Sequence, residues 1–225
     1  VVALRFADRR AAGRALAAEL SRQKGDVRQE GDVVVLGLPR GGVVVAEEVA
    51  LALDAPLDVL VVRKIGLPWQ PELAMGAIAG VGDTVETVRT ESVIARAAVT
   101  EDTFEEVRRR ELGELRRREA TYRGGRPALP LAGRVVVLVD DGLATGATMR
   151  AAVVAVRRQA PARVIVAVPI GSPSAVEALT SEVDEVVCLS VPRSFRAVGQ
   201  GYADFAATTD GEVRTALERT AGSRS

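Results

Sequence analysis

The side chains best placed to do chemistry sit together in Val135-Val136-Val137-Leu138-Val139-Asp140-Asp141-Gly142-Leu143-Ala144-Thr145-Gly146-Ala147-Thr148. The aliphatic start reads as a buried strand that delivers two adjacent acids to its carboxyl end. A turn of small residues follows, with hydroxyls at Thr145 and Thr148, and a helix then begins. Free N–H groups in the turn and the positive end of the helix form an anion cradle of phosphate size. Two acids beside such a cradle are repulsive unless something cationic mediates; ribose hydroxyls and a hydrated magnesium ion would satisfy them. The chain has no Gly-Lys-Ser/Thr loop and no G-x-G-x-x-G loop, so neither a Walker A site nor a dinucleotide fingerprint is implied.

Two other stretches bring cations to strand ends. Leu38-Pro39-Arg40-Gly41-Gly42 follows a β-branched run; its small residues let backbone amides approach an anion, and Arg40 adds charge. Arg63-Lys64 follows the run Leu57 to Val62, and Lys64 is one of only two lysines, the other being Lys24. Composition removes most competing chemistries. With no histidine there is no Ser-His-Asp triad, Cys-His dyad or imidazole-ligated zinc. Cys188 stands alone, which fits a reducing cytoplasm. Basic and acidic residues balance at 30 each, so the basic surplus of a nucleic-acid binder is missing. No apolar run approaches the ~20 residues that span a bilayer, and the charged start Arg5 to Arg10 does not suit a signal-peptide core.

The elements that must position these residues alternate. Asp8 can cap a helix to about Arg22, with Ala12, Leu16 and Leu20 on one face. Strands are expected at Asp32 to Leu38, Leu57 to Val62, Arg134 to Val139, Arg163 to Val168 and Glu185 to Val191. Helices are expected from Gly41 to near Asp54, from Thr100 to about Arg123, from Ala147 to Gln159, after the Ser172-Pro173 cap, and after Asp210. Met75 to Ala79 and Thr84 to Val88 can pair as a hairpin across Gly80-Val81-Gly82-Asp83, and 66–71 reads as a turn-rich break. Buried strands alternating with helices predict an α/β fold, a doubly wound parallel sheet that binds ligands at the carboxyl ends of its strands. The arginine triplets 108–110 and 116–118 lie among glutamates at helical spacing and read as a solvated, paired face.

The stretch 135–148 closely resembles the phosphoribosyl-pyrophosphate (PRPP) motif of the type I phosphoribosyltransferases. The likeness extends in architecture over most of residues 30–170. It implies a single domain over 1–225: a core of about 30–190, a helical lid insertion of about 83–130, and a small hood from the chain ends, about 1–25 and 191–225. By that resemblance Asp140 and Asp141 meet the ribose hydroxyls and the water shell of Mg2+, Ala144, Thr145, Gly146, Ala147 and Thr148 hold the 5′-phosphate, and Gly142 and Leu143 belong to the same PRPP site. Pro39, Arg40, Gly41 and Gly42 form the pyrophosphate loop, and Lys64, with Arg40, steadies the leaving pyrophosphate. Ala144 replaces an acid common in the 6-oxopurine enzymes, which weakens a hypoxanthine or guanine reading. Phe195 and Tyr202, in the aromatic segment that also holds Phe205, are candidates to stack on a base, with Trp69 a second choice. The segments Arg5 to Arg9 and Arg196 to Gly199 resemble a bacterial group of phosphoribosyltransferases of unassigned substrate.

The resemblance therefore implies transfer of the 5-phosphoribosyl group from Mg-PRPP to a nucleobase-like acceptor, in nucleotide salvage, by a cytoplasmic enzyme with no membrane or nucleic-acid partner. A homodimer, transfer to an amine or small carbonyl metabolite, and a PRPP sensor without turnover are left open. No side chain stands out as a general base or acid.

Overall fold

The computed structural model describes residues 5–22, 31–82 and 84–222. The expectations for Val1 to Leu4, for the hood-to-core boundary near 25–30, for Asp83 and for the last three residues lie outside them. Five strands form a parallel sheet in the order β2-β1-β6-β7-β8: β1 (Val33–Gly37), β2 (Leu57–Val59), β6 (Val135–Val139), β7 (Arg163–Ile170) and β8 (Glu185–Ser190). Alternation divides their side chains between two cores. Val33, Val35, Val137 and Ile165 face the helices α1 (Arg9–Arg22), α2 (Gly41–Leu53) and α7 (Asp210–Gly222). Val34, Leu138 and Val166 face α5 (Ala147–Arg157) and α6 (Pro173–Thr180). Buried on both sides, such strands must be continuously apolar, which is why their sequences read so clearly.

The stretch after β2 departs from expectation. Only Leu57–Val59 joins the parallel sheet. The apolar run continues without a break into β3 (Val62–Leu67), which pairs with β4 (Gln70–Val81) and, through it, with β5 (Thr84–Arg89) in a separate antiparallel sheet. The expected break at 66–71 is the tight end of the β3–β4 hairpin, with Trp69 exposed at its tip. A short helix, α3 (Glu91–Arg96), precedes α4 (Glu101–Arg123), whose Thr100 side chain accepts from Thr103 N–H as the N-cap. Phe104, Val107, Leu115 and Tyr122 bury one stripe of α4 in the main core. Its arginines pair along the helix as the spacing predicts, Arg108 with Glu105 and both Arg117 and Arg118 with Glu114. Arg63–Glu111 and Arg123–Asp58 fasten the helix at two further points.

The segments around Phe6 and Tyr202 meet. Asp8 caps α1 through Ala11 N–H, and Phe6 pairs with Tyr202 through Phe6 N–H to the Gly201 carbonyl and Ala203 N–H to the Phe6 carbonyl. The cap of α7 is Thr209 rather than Asp210: Thr209 Oγ1 accepts from Glu212 N–H while the Glu212 carboxylate accepts from Thr209 N–H. No helix among the described residues is long and apolar enough to cross a membrane.

Leu138, wholly buried in the central strand, should carry a large share of stability. Leu138→Ala is expected to cost about 2–5 kcal/mol in urea unfolding, and Leu51→Ala, exposed on α2, within about 0.5 kcal/mol.

Candidate functional site

Strand order fixes where a ligand can enter. β1 continues through α2 to β2 on one side, while its other neighbour, β6, continues through α5 to β7 on the opposite side. The loops after β1 and β6 diverge and leave a crevice at the carboxyl edge. Gly37 lies opposite Val139, and Leu38 N–H donates to the Val139 carbonyl at 2.9 Å, so both loops leave the sheet at one level.

The first loop closes directly on the acid pair. A Cβ on Gly41 would lie 1.9 Å from Asp141 Oδ2, and one on Gly42 would lie 2.8 Å from Asp140 Oδ1. Glycine is required for that approach. The Pro39–Arg40 peptide is cis, and Arg40 is exposed beside the start of α2. Asp141 N–H donates to Asp140 Oδ1 at 2.8 Å. Asp141 Oδ2 accepts from Arg9 Nε at 2.8 Å, and its carbonyl accepts from the Tyr202 hydroxyl at 2.5 Å. Burial, and then the charge of Asp141, push the Asp140 carboxyl well above its ordinary range.

The second loop is braced from β7. Leu143 N–H donates to the Ile170 carbonyl at 2.8 Å, Ser172 N–H donates to the Leu143 carbonyl at 2.8 Å, and Ser172 Oγ donates to the Ala144 carbonyl at 2.6 Å. Gly146 adopts φ 77°, the left-handed turn into α5. Ala144, Thr145, Ala147 and Thr148 remain exposed, so the open end of α5 faces outward, as an anion cradle requires.

Other expected residues fall elsewhere. Lys64 does not end a strand of the parallel sheet; it lies in β3, where Nζ donates to Glu72 Oε2 at 3.0 Å. It lines a cavity of about 330 Å3 between the antiparallel sheet and α5, together with Val62, Ala77, Val88, Thr148 and Ala151. Tyr202 offers no open ring to a base: it is buried against Phe6 and Phe205, and burial together with the nearby Asp141 raises its hydroxyl above the ordinary range. Phe195 is half-buried against the same cluster. Arg9 and Ser172 touch the site and were absent from the expected set. Both follow or form helix caps, so their local sequence signals a helix start rather than a ligand.

Two carboxylates, one already paired with Arg9, suit a divalent cation held largely through water and ligand oxygens. Among the described residues no cluster of three acids or thiols surrounds the pair. A cation would relieve the repulsion that Asp140 bears.

A phosphoribosyl transferase domain model matches residues 6–204. Two Mycobacterium tuberculosis proteins, from strains CDC 1551 and H37Rv, carry provisional phosphoribosyl transferase names. Each is 49% identical over 214 residues, 95% of this chain and 46% of its own length. The chain thus spans about half the length of these curated relatives. TT1426 from Thermus thermophilus is 47% identical, and its crystal structure superposes with a TM-score of 0.81 over 96% of this chain and 99% of its own.

The raised Asp140 carboxyl makes a signed prediction for the metal-free protein. Between the ordinary carboxylate range and the raised folded value, the native state binds more protons than the unfolded state, so stability falls as pH rises. Asp140→Asn should remove that slope and raise Tm at pH 7.5. Below the ordinary carboxylate range the gain should vanish in the same melting experiment.

Proposed function

The chain belongs to the phosphoribosyl transferase family, and from that premise we propose that it binds Mg-PRPP and transfers the 5-phosphoribosyl group to a nucleobase-like acceptor, releasing pyrophosphate. The observation that carries this reading is the close packing of Gly41 and Gly42 on Asp140 and Asp141 at the switch between β1 and β6. An extended ligand with a phosphate at each end and a diol between them suits that arrangement. Backbone amides from Ala144 to Thr148 take the 5′-phosphate, while the Leu143 amide stays on the Ile170 carbonyl. Asp140 and Asp141 accept from the ribose hydroxyls and from water on the metal. Pro39 to Gly42 frame the pyrophosphate with backbone amides and with Arg40, which has no ion-pair partner among the described residues.

Magnesium, when bound, neutralises the diphosphate and so makes it a better leaving group. In the transfer the C1–O bond breaks with its electron pair going to pyrophosphate. A ring-nitrogen lone pair of the acceptor forms the new bond, and the proton of the acceptor ring passes to water or to the departing pyrophosphate. The transition state has oxocarbenium character, so the protein's work is positioning, charge neutralisation and exclusion of water. Lys64 would reach the site only by exchanging Glu72 for substrate, from the cavity it shares with Thr148. For the acceptor, Phe195 is retained as a contact and Tyr202 becomes a support for Asp141. A cytoplasmic setting belongs to the same proposal.

Mg-PRPP should raise Tm, by mass action about 2.7 kcal/mol at a hundred times Kd. Asp140→Asn with Asp141→Asn should abolish that shift while the unliganded protein stays folded. An unchanged response would remove the site assignment. In a pyrophosphate-release assay across a panel of bases, Lys64→Ala is expected to lose about 10²-fold in kcat with a smaller change in PRPP affinity. Wild-type turnover in that variant would leave Lys64 as a partner of Glu72 only. Tight PRPP binding without release for any acceptor would favour the sensor.

A further inference from the structure

Arg9 is a cation that the site already contains. Its Nε donates to Asp141 Oδ2 at 2.8 Å, its Nη1 donates to the Ala206 carbonyl at 2.7 Å, and its guanidinium lies 4.0 Å from the Phe205 ring centroid. Only 12% of the side chain is exposed. Contacts from the loop after β6, from the strap after Tyr202 and from an aromatic face thus hold a planar group in one orientation. A guanidinium has more N–H donors than these contacts use, and Nη2 has no hydrogen-bond partner among the described residues. A Cβ on Gly41 would lie 2.6 Å from Arg9 Nε, so the group lies against the first residue of α2. No side chain caps that helix end. Arg9 and the open amides of α2 therefore converge from different elements on the place that the PRPP reading gives to the pyrophosphate.

We propose that Arg9 contacts the diphosphate of the ligand while its bond to Asp141 holds that carboxylate oriented toward the ribose. The proposal rests on the PRPP reading and adds to it a residue from the N-terminal helix. It also explains what the rings of the hood do, since Tyr202 and Phe205 orient Arg9 and Asp141. An Arg9 that acted only through Asp141 would make the same protein contacts, so the test must separate the two roles.

Calorimetric titration of wild type, Arg9→Ala and Asp141→Asn with magnesium diphosphate and with ribose 5-phosphate does so. Arg9→Ala should weaken magnesium diphosphate by roughly tenfold or more, as the loss of a charge-assisted hydrogen bond does, and ribose 5-phosphate by less than about threefold, since that ligand lacks the diphosphate. Asp141→Asn should weaken both ligands, since its carboxylate faces the ribose hydroxyls and the water on the metal. If Arg9→Ala likewise weakens both alike, or leaves diphosphate affinity unchanged, the proposal is overturned. Should Arg9→Ala fail to fold, Arg9→Lys keeps the charge without the planar fork and should show an intermediate loss for diphosphate alone. A wild type that binds neither ligand retires the PRPP reading itself, and this proposal with it. One that binds both, with no Arg9 dependence, retires only the role of Arg9.

Discussion

Holding two carboxylates side by side at the end of a buried strand costs free energy, and much of the molecule is arranged around that cost. Asp140 and Asp141 cannot separate, because they are consecutive and β6 is paired on both sides. Asp140 meets the cost by holding its proton more tightly, and Asp141 by its ion pair with Arg9. Partly buried ion pairs of this kind stabilise little relative to apolar packing, yet removing one partner leaves a charge exposed to the full desolvation penalty. Such an arrangement is poorly explained as scaffolding and well explained as a ligand site.

The rest of the fold supports that point from several directions. The parallel register of β1 and β6 brings the glycine pair level with the acids. Bonds from Ile170 and Ser172 fix the turn that opens α5. The segments of Phe6 and Tyr202 clasp each other, and that clasp carries both Arg9 and the Tyr202 hydroxyl to Asp141. On the far side, Arg63–Glu111 and Arg123–Asp58 tie α4 to β3 and β2, and Arg158–Glu86 ties the end of α5 to β5.

What could be read in advance was what is local. The strand, acid pair, small turn and helix of 135–148 are consecutive, and each signals itself by hydrophobic run, charge or glycine. The Thr209-Asp210-Gly211-Glu212 capping box was equally legible, yet Asp210 drew the assignment. Lys64 was misplaced because an unbroken apolar run does not show where a chain leaves one sheet for another; its pairing with Ala77 decides that. Arg9 lies 132 residues from Asp141 in sequence, and nothing near it announces the contact. Tyr202 carries both a ring and a hydroxyl, and only the packing shows that the hydroxyl is the part that reaches the site.

The most direct test is a crystal structure of the protein grown with Mg2+ and PRPP. One ligand should span the crevice, with its 5′-phosphate on the amides of Ala144 to Thr148, its ribose hydroxyls on Asp140 and Asp141, and its diphosphate at Gly41 and Gly42. Clear density for PRPP elsewhere on the molecule, with the acid pair and the glycine loop untouched, would contradict it.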